Sequence, residues 1–306
     1  MIDLVGKKYW FLLISAIIII PGMIIFGIFG LKMGVDFSSG TAITFHFDTN
    51  VELAQLRQQL TNQGYPQAVV QPAGSGDFFV RLQELPAEEI AKLTTDLESN
   101  LATKVTITNL YSVSPIVAEN TVRNTIIAVL VASIGILLYM TFAFRKMPKP
   151  FRWGVVAVIT LIHDLLVVIA VFALLSLLTG LEVDSLFVTG VLAVVGISVN
   201  NVVVVFDRIR ENMKRGVSKD FAQVANVGII ESLGRSLNTG LCTLFVIVSL
   251  YLLGGVTIQN LVLALLVGIG IGIYSSICIA GQLLVIWDSG ELGRKFSRQK
   301  PATKPA

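Results

Sequence analysis

The chain has 306 residues, of which 54% are hydrophobic and only 14% are charged, a composition outside the range of ordinary soluble domains. The net charge of +3 is too small to indicate nucleic acid as a partner. Two cysteines in apolar segments, Cys242 and Cys278, support neither a disulfide framework nor a zinc site. The composition predicts an integral membrane protein that needs no metal or bound cofactor.

Apolar runs long enough to cross a bilayer, which takes about 20 residues in a helix, occur six times. They lie at about residues 10–30, 123–144, 153–178, 184–206, 236–254 and 258–287. The first run follows Lys7 and Lys8, as a signal peptide would, but it is too long for one and no small-residue cleavage site follows it. The pattern predicts six transmembrane helices, of which the first is a retained signal anchor.

Lysine and arginine residues predict the orientation of these helices, because they are enriched in cytoplasmic loops. They cluster before the first helix, between the second and third, between the fourth and fifth, and after the sixth. The short alternate loops hold Glu182 and Asp184 or no charge. The asymmetry predicts that both termini lie in the cytoplasm. Trp10 and Trp153, at helix starts on that side, are expected to anchor at the lipid interface.

Residues 31–122 are polar enough to form a water-exposed domain on the opposite side. Strands are predicted at about residues 41–47, 67–71, 77–83 and 104–113, and helices at about 51–62 and 86–101. This β-α-β-β-α-β order is that of a ferredoxin-like, split βαβ domain. The chain is therefore predicted to be an α-helical membrane protein with an α+β extracytoplasmic domain. Its parts are residues 1–30 (N-terminus and first helix), 31–122 (the outer domain), 123–290 (five helices with cytoplasmic loops) and 291–306 (a basic cytoplasmic tail).

Polar side chains inside two apolar runs are candidates for function. His163 and Asp164 are adjacent near the middle of the third helix, and Asn200 and Asn201 are adjacent in the fourth. An ionised carboxylate at that depth costs at least ~2.5 kcal/mol, so Asp164 is expected to face the bundle interior and to have a partner. Adjacent side chains point about 100° apart on a helix, so His163 and Asp164 are not expected to share one target. A proton site is one interpretation, and hydrogen bonds that only hold helices together are the other.

Two further groups of residues have a simple structural interpretation. Arg235 begins the fifth helix, where an interfacial anchor is expected. The charges that follow the fourth helix are typical of a solvated cytoplasmic cluster; they are Asp207, Arg208, Arg210 and Glu211. Glycines at residues 268–272 indicate close packing of the sixth helix.

Enzyme motifs are nearly absent from the sequence. Residues 196–199, Gly-Ile-Ser-Val, match the GxSx form of intramembrane serine proteases, with Ser198 as nucleophile and His163 as base. In the rhomboid type the serine precedes the histidine, and here the order is reversed. Two matching positions out of four are a weak signal, so the chain is interpreted as not being an enzyme.

Several motifs together carry a resemblance to a known family. Residues 207–212 are Asp-Arg-Ile-Arg-Glu-Asn, preceded by Gly-x-Ser-Val-Asn at 196–200, and residues 34–41 are Gly-Val-Asp-Phe-Ser-Ser-Gly-Thr. With the His-Asp pair and Arg-Ser-Leu-Asn-Thr at 235–239, this set resembles the SecF branch of the bacterial SecD/SecF protein-export family, in the resistance-nodulation-division superfamily. The similarity covers all six helices and the outer domain.

The resemblance implies an accessory subunit of the protein translocase, embedded in membrane lipid. In that family SecF pairs with SecD, associates with the SecYEG channel and the SecA ATPase, and uses the proton-motive force to help draw preproteins across. By position, Asp36, Gly40 and Thr41 would belong to the family's outer motif. The cytoplasmic motif would comprise Asp207, Arg208, Arg210, Glu211 and Asn212. The intramembrane polar cluster on the proton path would comprise His163, Asp164, Asn200, Asn201 and Arg235.

One departure from the family pattern bears on mechanism. The family usually has Tyr-Ser-x-Asn-Asp where residues 197–201 are Ile-Ser-Val-Asn-Asn. An amide does not titrate, so Asn201 is not a proton carrier. Either Asp164 supplies the only titrating group on this side, or proton coupling lies in SecD. A half-size exporter of small molecules or lipids from the same superfamily is the alternative function, although such exporters usually carry two halves in one chain.

Overall fold

The computed structural model describes residues 3–74, 76–255 and 258–290. The predicted basic tail at 291–306 lies outside the described residues. In chain order the elements are α1 (Lys8–Phe29), β1 (Lys32–Met33), α2 (Val35–Ser38), β2 (Gly40–Phe47), α3 (Leu53–Asn62), β3 (Val69–Gly74), β4 (Asp77–Leu82), α4 (Ala87–Leu101), β5 (Val105–Val113), α5 (Pro115–Ala143), α6 (Pro150–Thr179), β6 (Glu182–Val183), α7 (Ser185–Arg215), α8 (Phe221–Leu253), α9 (Gln259–Ser275), a π turn (Ser276–Ala280) and α10 (Gly281–Asp288).

Among the described residues, six helices are long and apolar enough to cross a membrane, in agreement with the prediction. They are α1, α5, α6, α7, α8 and a last helix, Gln259–Asp288, which α9, the π turn and α10 form together. Several extend beyond their apolar runs, because backbone hydrogen bonds continue a helix through polar residues as well. Thus α7 continues through the charged motif to Arg215 and ends at Gly216, which has a φ of 67° and adopts this left-handed conformation easily.

The most buried helices are α6 and the last helix, and α1, α5 and α8 are the most exposed. Their exposed faces carry large apolar side chains such as Leu130 and Phe245, as a surface that contacts lipid requires. Glycine allows the last helix to approach α7 closely, since a Cβ on Gly268 would lie 2.1 Å from Val194 Cγ2. The packing role predicted for these glycines is therefore present at Gly268.

The expectation that both tryptophans anchor at the interface is wrong for Trp153. Trp10 is exposed, but Trp153 is fully buried. Its ring stacks on Phe144 at 5.0 Å and meets Phe206 edge-on at 5.3 Å. The position of a residue at a helix start does not show which way its side chain faces. The Trp153 side chain faces the hydrophobic core, near the loop that joins α5 to α6.

The segment between α1 and α5 has the strands and helices in the predicted order. Its four-stranded antiparallel sheet has the order β3-β4-β2-β5. Alternate side chains of β2, including Ile43, Phe45 and Phe47, are buried with Leu56 of α3 and Leu97 of α4. Both helices therefore cover the same side of the sheet, and the other side carries exposed residues of β5.

Three short elements, β1, α2 and β6, were not predicted, and all lie where this α/β unit meets the helices. β1 pairs in parallel with β6, with Lys32 opposite Glu182 and Met33 opposite Val183. The single turn α2 follows at once. These elements position the outer motif beside the first residue of α7.

Candidate functional site

Asp164 is the centre of a buried polar cluster between α6, α7 and the last helix. Its side chain is fully buried. One carboxylate oxygen, Oδ1, lies 2.9 Å from His163 Nδ1. The other, Oδ2, accepts hydrogen bonds from the hydroxyl of Ser198 and, at 2.8 Å, from that of Ser275. Both oxygens of this buried side chain therefore have hydrogen-bond partners, as buried polar groups require.

His163 extends this cluster to α1. Its Nε2 atom lies 2.8 Å from Ser15 Oγ. Ser15 Oγ in turn donates to the hydroxyl of Tyr274 at 3.4 Å, and Tyr274 donates to the carbonyl oxygen of Phe11 at 2.7 Å. A continuous set of hydrogen bonds therefore runs from Asp164 through His163, Ser15 and Tyr274.

The expected divergence of His163 and Asp164 is present, with one addition. Each side chain reaches a different helix, α1 for His163 and α7 with α9 for Asp164. Even so, the two side chains bond to each other. They form one titratable pair with two separate sets of partners.

The other three residues predicted for this cluster differ in burial. Asn201 is buried and faces Gly272 of α9 across a close contact. Asn200 and Arg235 are exposed on the bundle surface, and neither makes a hydrogen bond or ion pair to Asp164 among the described residues. Of the five residues predicted for one site, His163 is the one that bonds to Asp164 among the described residues. Asn201 lies about one helical turn after Ser198, which also bonds to Asp164.

Arg235 lies instead in an open cleft between α7 and α8. The cleft is lined by Val203, Val204, Asp207, Arg208, Glu211, Glu231, Ser232 and Arg235. The cytoplasmic motif that borders it is more than a solvated charge cluster. Asn212 is fully buried and donates to Glu231 at 2.9 Å, and Arg208 lies 3.8 Å from the same carboxylate. The motif therefore links α7 to α8.

Within the cytoplasmic motif, ion pairs connect successive turns of α7. Arg210 pairs with Asp207 at 2.7 Å and Arg208 with Glu211 at 2.7 Å. Arg215 adds a second bond to Glu211 at 2.5 Å. Such pairs support an exposed helix end only modestly, so the buried Asn212 is the stronger link to the neighbouring helix.

The outer motif ties the α/β unit to the start of α7. Asp36 is buried, and its Oδ2 accepts from the backbone N–H of Ser185 at 2.6 Å. A carboxylate at a helix N-terminus is favoured by unsatisfied N–H groups and the helix dipole. Gly40 has a φ of 131°, and a Cβ there would lie 2.5 Å from the carbonyl oxygen of Leu82. The conformation and the space at this position therefore both require glycine.

Thr41 completes the outer motif from inside the α/β unit. Its side chain is fully buried. Its Oγ1 accepts from the backbone N–H of Leu85 at 3.0 Å and lies 3.2 Å from Ser112 Oγ. Thr41 therefore fixes the loop after β4 against the sheet, which is a structural role.

Two carboxylates at this junction have perturbed titration. Desolvation raises the pKa of Glu182, while the charges of Arg81 and Lys32 oppose that rise. Desolvation also raises the pKa of Asp184, against hydrogen bonds from Phe187 N–H and the Asn260 side chain. Burial at the junction therefore favours the protonated form of both groups.

The protease interpretation does not fit the geometry. Ser198 donates to Asp164 and does not contact His163. Ser15 does lie at hydrogen-bond distance from His163 Nε2, with Asp164 on Nδ1, which is the connectivity of a catalytic triad. Ser15 is buried within α1, however, where backbone N–H groups are used in the helix. A nucleophile there has no oxyanion-stabilising donors and no access for a peptide bond.

Sequence reasoning missed Ser15, Tyr274 and Glu231 as members of these sites. A lone serine or tyrosine in an apolar helix has no distinguishing signal. Glu231 did have a signal in the sequence, because a carboxylate just before an apolar run is expected to find a cationic partner. The cluster around Asp164 joins a carboxylate, an imidazole and hydroxyl groups through hydrogen bonds, and these are groups that exchange protons.

Comparisons with known proteins agree with these features. Residues 93–290 match the family described as protein export membrane protein SecD/SecF, C-terminal, and residues 24–51 match the SecD/SecF GG motif. The latter range contains Asp36, Gly40 and Thr41 of the outer motif. Both the helical bundle and the junction therefore carry the features of one family.

Full-length relatives and a solved structure give the same result. The protein translocase subunit SecF of Thermobaculum terrenum is 42% identical, and the match covers 98% of each chain. SecF of Anaerolinea thermophila is 38% identical over 99% of this chain and 100% of that protein. The crystal structure of SecDF from Thermus thermophilus, described as a translocon-associated membrane protein, has a TM-score of 0.83 at 32% identity, over 94% of this chain and 39% of that one. The chain is a multi-pass membrane protein that belongs to the SecD/SecF family of protein export membrane proteins.

Proposed function

We propose that this chain is the SecF-type accessory subunit of a bacterial protein translocase. It pairs with SecD in the inner membrane, assists the SecYEG channel and SecA, and helps to move preproteins outward by using the proton-motive force. The observation that carries the proton-coupled part is the fully buried Asp164, which is paired with His163 and accepts hydrogen bonds from two serines. Ionisable residues inside a membrane bundle mark ion pathways more often than simple packing.

The need for a SecD partner is supported by the bundle surface. Asn200 lies near the middle of α7 and is exposed, and Arg235 is exposed on α8. An amide in hydrocarbon costs free energy unless it is paired. In the SecDF structure this chain corresponds to 39% of one longer chain. A SecD partner that covers the α7–α8 face would satisfy these groups.

The α/β unit is proposed to be a ferredoxin-like domain outside the cytoplasm. Its sheet order and its two helices on one side suit that fold. The Lys and Arg distribution supports cytoplasmic termini and the opposite location for residues 31–122. There the domain is available to an emerging preprotein, and the junction at Asp36 connects it to α7.

The proposal is tested by deleting the chain in its source bacterium and restoring it with a purification tag. Solubilisation in mild detergent is expected to recover SecD with the tagged chain. Secretion of a preprotein is expected to slow in the deletion strain and to recover with the restored chain, and a protonophore should remove that recovery. Co-purification of a different membrane protein in place of SecD would refute the proposed partner. Restored secretion that does not change when the protonophore is added would refute the proton-driven part.

A further inference from the structure

The hydrogen bonds around Ser15 fix where one proton on His163 resides. Tyr274 donates its hydroxyl proton to the carbonyl of Phe11, which has no proton to give. In this chain of bonds the Ser15 hydroxyl donates to the Tyr274 oxygen, across a long contact of 3.4 Å. Because that proton is committed, Ser15 Oγ accepts at its 2.8 Å contact with His163, and His163 Nε2 carries a proton.

A second proton must lie between His163 Nδ1 and Asp164 Oδ1. These atoms are 2.9 Å apart, and two bare lone pairs do not approach in this way. Asp164 Oδ2 is occupied as an acceptor by Ser198 and Ser275. The pair therefore holds one proton more than an ionised aspartate beside a neutral histidine would, and its net charge is zero, which suits a buried position.

Loss of that extra proton requires a defined rearrangement. The contact between Nδ1 and Oδ1 still needs a proton, so the remaining proton of His163 must lie on Nδ1. Nε2 then becomes an acceptor, and the Ser15 hydroxyl must turn from Tyr274 to His163. The charge left on Asp164 is stabilised by three donors, which are His163, Ser198 and Ser275.

We propose that Ser15 and Tyr274 are proton-relay residues for the His163–Asp164 pair. The proton on Nε2 moves to Ser15 Oγ, and the former Ser15 proton moves to the Tyr274 oxygen. The former Tyr274 proton leaves its hydrogen bond with the Phe11 carbonyl and passes to a water molecule, which is the acceptor that the relay requires. Each oxygen gains one proton and loses one, and the chain of bonds ends in the orientation that the unloaded pair requires. This inference rests on the proposed proton-coupled function and specifies its route.

The surroundings of the pair favour this route. Besides His163 and Asp164, the groups that contact the relay are Ser15 on α1, Ser198 on α7, Tyr274 and Ser275 on α9, and Cys278 beside Tyr274 in the π turn. No lysine or arginine of the described residues forms an ion pair with Asp164. Asn201, which faces α9, does not titrate. The hydroxyl groups therefore carry the exchange without competition from a neighbouring charge.

The test uses nitrogen NMR of histidine in the full chain, reconstituted in lipid with a tag that lacks histidine. The sequence has two histidines, so His46→Gln leaves only the His163 signals. The Nε2 resonance is expected to change from protonated to unprotonated as the pH rises. Tyr274→Phe removes the acceptor of the loaded state, so this change should move to lower pH by about half to one unit.

A double-variant cycle separates a relay from independent packing effects. The Tyr274 ring also lies beside the His163 ring, with 6.5 Å between centroids, and Phe keeps this contact. The lost hydroxyl acts on His163 through Ser15, so Tyr274→Phe should add nothing in a Ser15→Ala background. Ser133→Ala and Tyr139→Phe are the matched controls, because Ser133 donates only to its own helix and Tyr139 is exposed on α5. Additive effects of the two substitutions, or an Nε2 signal that does not change with pH, would overturn the relay.

An export assay distinguishes failure of the relay from failure of the proposed function. Ser15→Ala and Tyr274→Phe are expected to lower proton-driven export toward the level of Asp164→Asn, and Ser15→Thr, which keeps the hydroxyl, should restore it. If Asp164→Asn abolishes the proton-driven part but Tyr274→Phe leaves both it and the NMR titration unchanged, the relay is wrong and the function stands. If the export rate with the unsubstituted chain is the same with and without the proton-motive force, the proposed function is wrong.

Discussion

Arg81, in β4 of the α/β unit, and Glu182, in β6 beside α7, form an ion pair at 3.3 Å across the junction. Both side chains are mostly buried. Arg81 also donates to the carbonyl oxygen of Met33, and Asn260 donates to that of Glu182 at 3.0 Å. The contact between the two parts of the molecule is therefore polar and titratable.

The stability of this junction is expected to depend on pH. The folded protein raises the pKa of Glu182 above its ordinary value near 4.5, so its contribution is present below that value and is lost as the pH rises through the raised pKa. Glu182→Gln should flatten this decrease. Thermal unfolding in detergent, followed from about pH 4.5 upward, measures it, with the exposed Glu88→Gln as control. An unchanged pH profile for Glu182→Gln would contradict the assignment.

Replacement of Asp164 by Asn preserves shape and removes titration. We expect the proton-driven part of preprotein translocation to be lost while SecD still co-purifies with the chain, because an amide can keep bonds to Ser198 and Ser275. Translocation into inverted membrane vesicles, with and without a proton gradient, measures this. Normal stimulation at normal protein levels would place the proton path in SecD.

Replacement of Asn201 by Asp restores the residue usual in the family. Asn201 is buried against Gly272, and among the described residues it makes no hydrogen bond to the His163–Asp164 pair. Export and assembly are therefore expected to remain near normal. Secretion rate and SecD recovery measure the outcome, and Asn201→Leu, which removes the polar group, is the comparison. Loss of the complex in Asn201→Asp alone would show that a second carboxylate is not accepted here.

Close packing at Gly268 predicts a stability effect that a neighbouring glycine does not share. A Cβ at Gly268 overlaps Val194, whereas one at Gly270 meets open space. Gly268→Ala should destabilise the bundle by about 1–3 kcal/mol through overpacking, and Gly270→Ala should stabilise it by up to ~1 kcal/mol through helix propensity. Unfolding in mixed detergent compares the two, and equal effects would contradict the packing.

The proposed orientation is tested by cysteine labelling in a Cys242→Ser, Cys278→Ala background. A cysteine at Glu88, exposed at the start of α4, should react with an impermeant maleimide added to spheroplasts. A cysteine at Lys219, exposed between α7 and α8, should react only after lysis. The opposite pattern would reverse the topology.

The sequence alone predicts the six apolar helices and the order of elements in the α/β unit, because both follow from local patterns. Hydropathy marks the helices, and turn residues such as Gly64 and Pro86 separate the elements between them. The direction in which a side chain points from its helix is harder to predict from the sequence. Asn200 and Asn201 differ by one position, yet one is exposed and the other is buried.

Contacts between residues far apart in the chain also could not be predicted from the sequence. Ser15 and His163 are 148 positions apart, and their contact depends on how α1 rotates against α6. Arg81 and Glu182 meet only because β1 and β6 pair. Arg235 was assigned to the central cluster by resemblance, and the packing of α7 against α8 holds it in a separate cleft.

The π turn at Ser276–Ala280 has a consequence for any helical-wheel analysis of the last helix. A π turn accommodates an extra residue relative to an α-helical turn, so the faces before and after it are offset by roughly 100°. A single wheel drawn over Gln259–Asp288 would assign Ser275 and Asp288 to the wrong relative directions. Deleting one residue in the turn would rotate α10 and separate Asp288 from the buried Arg152 with which it pairs, while Ser275 stayed on Asp164.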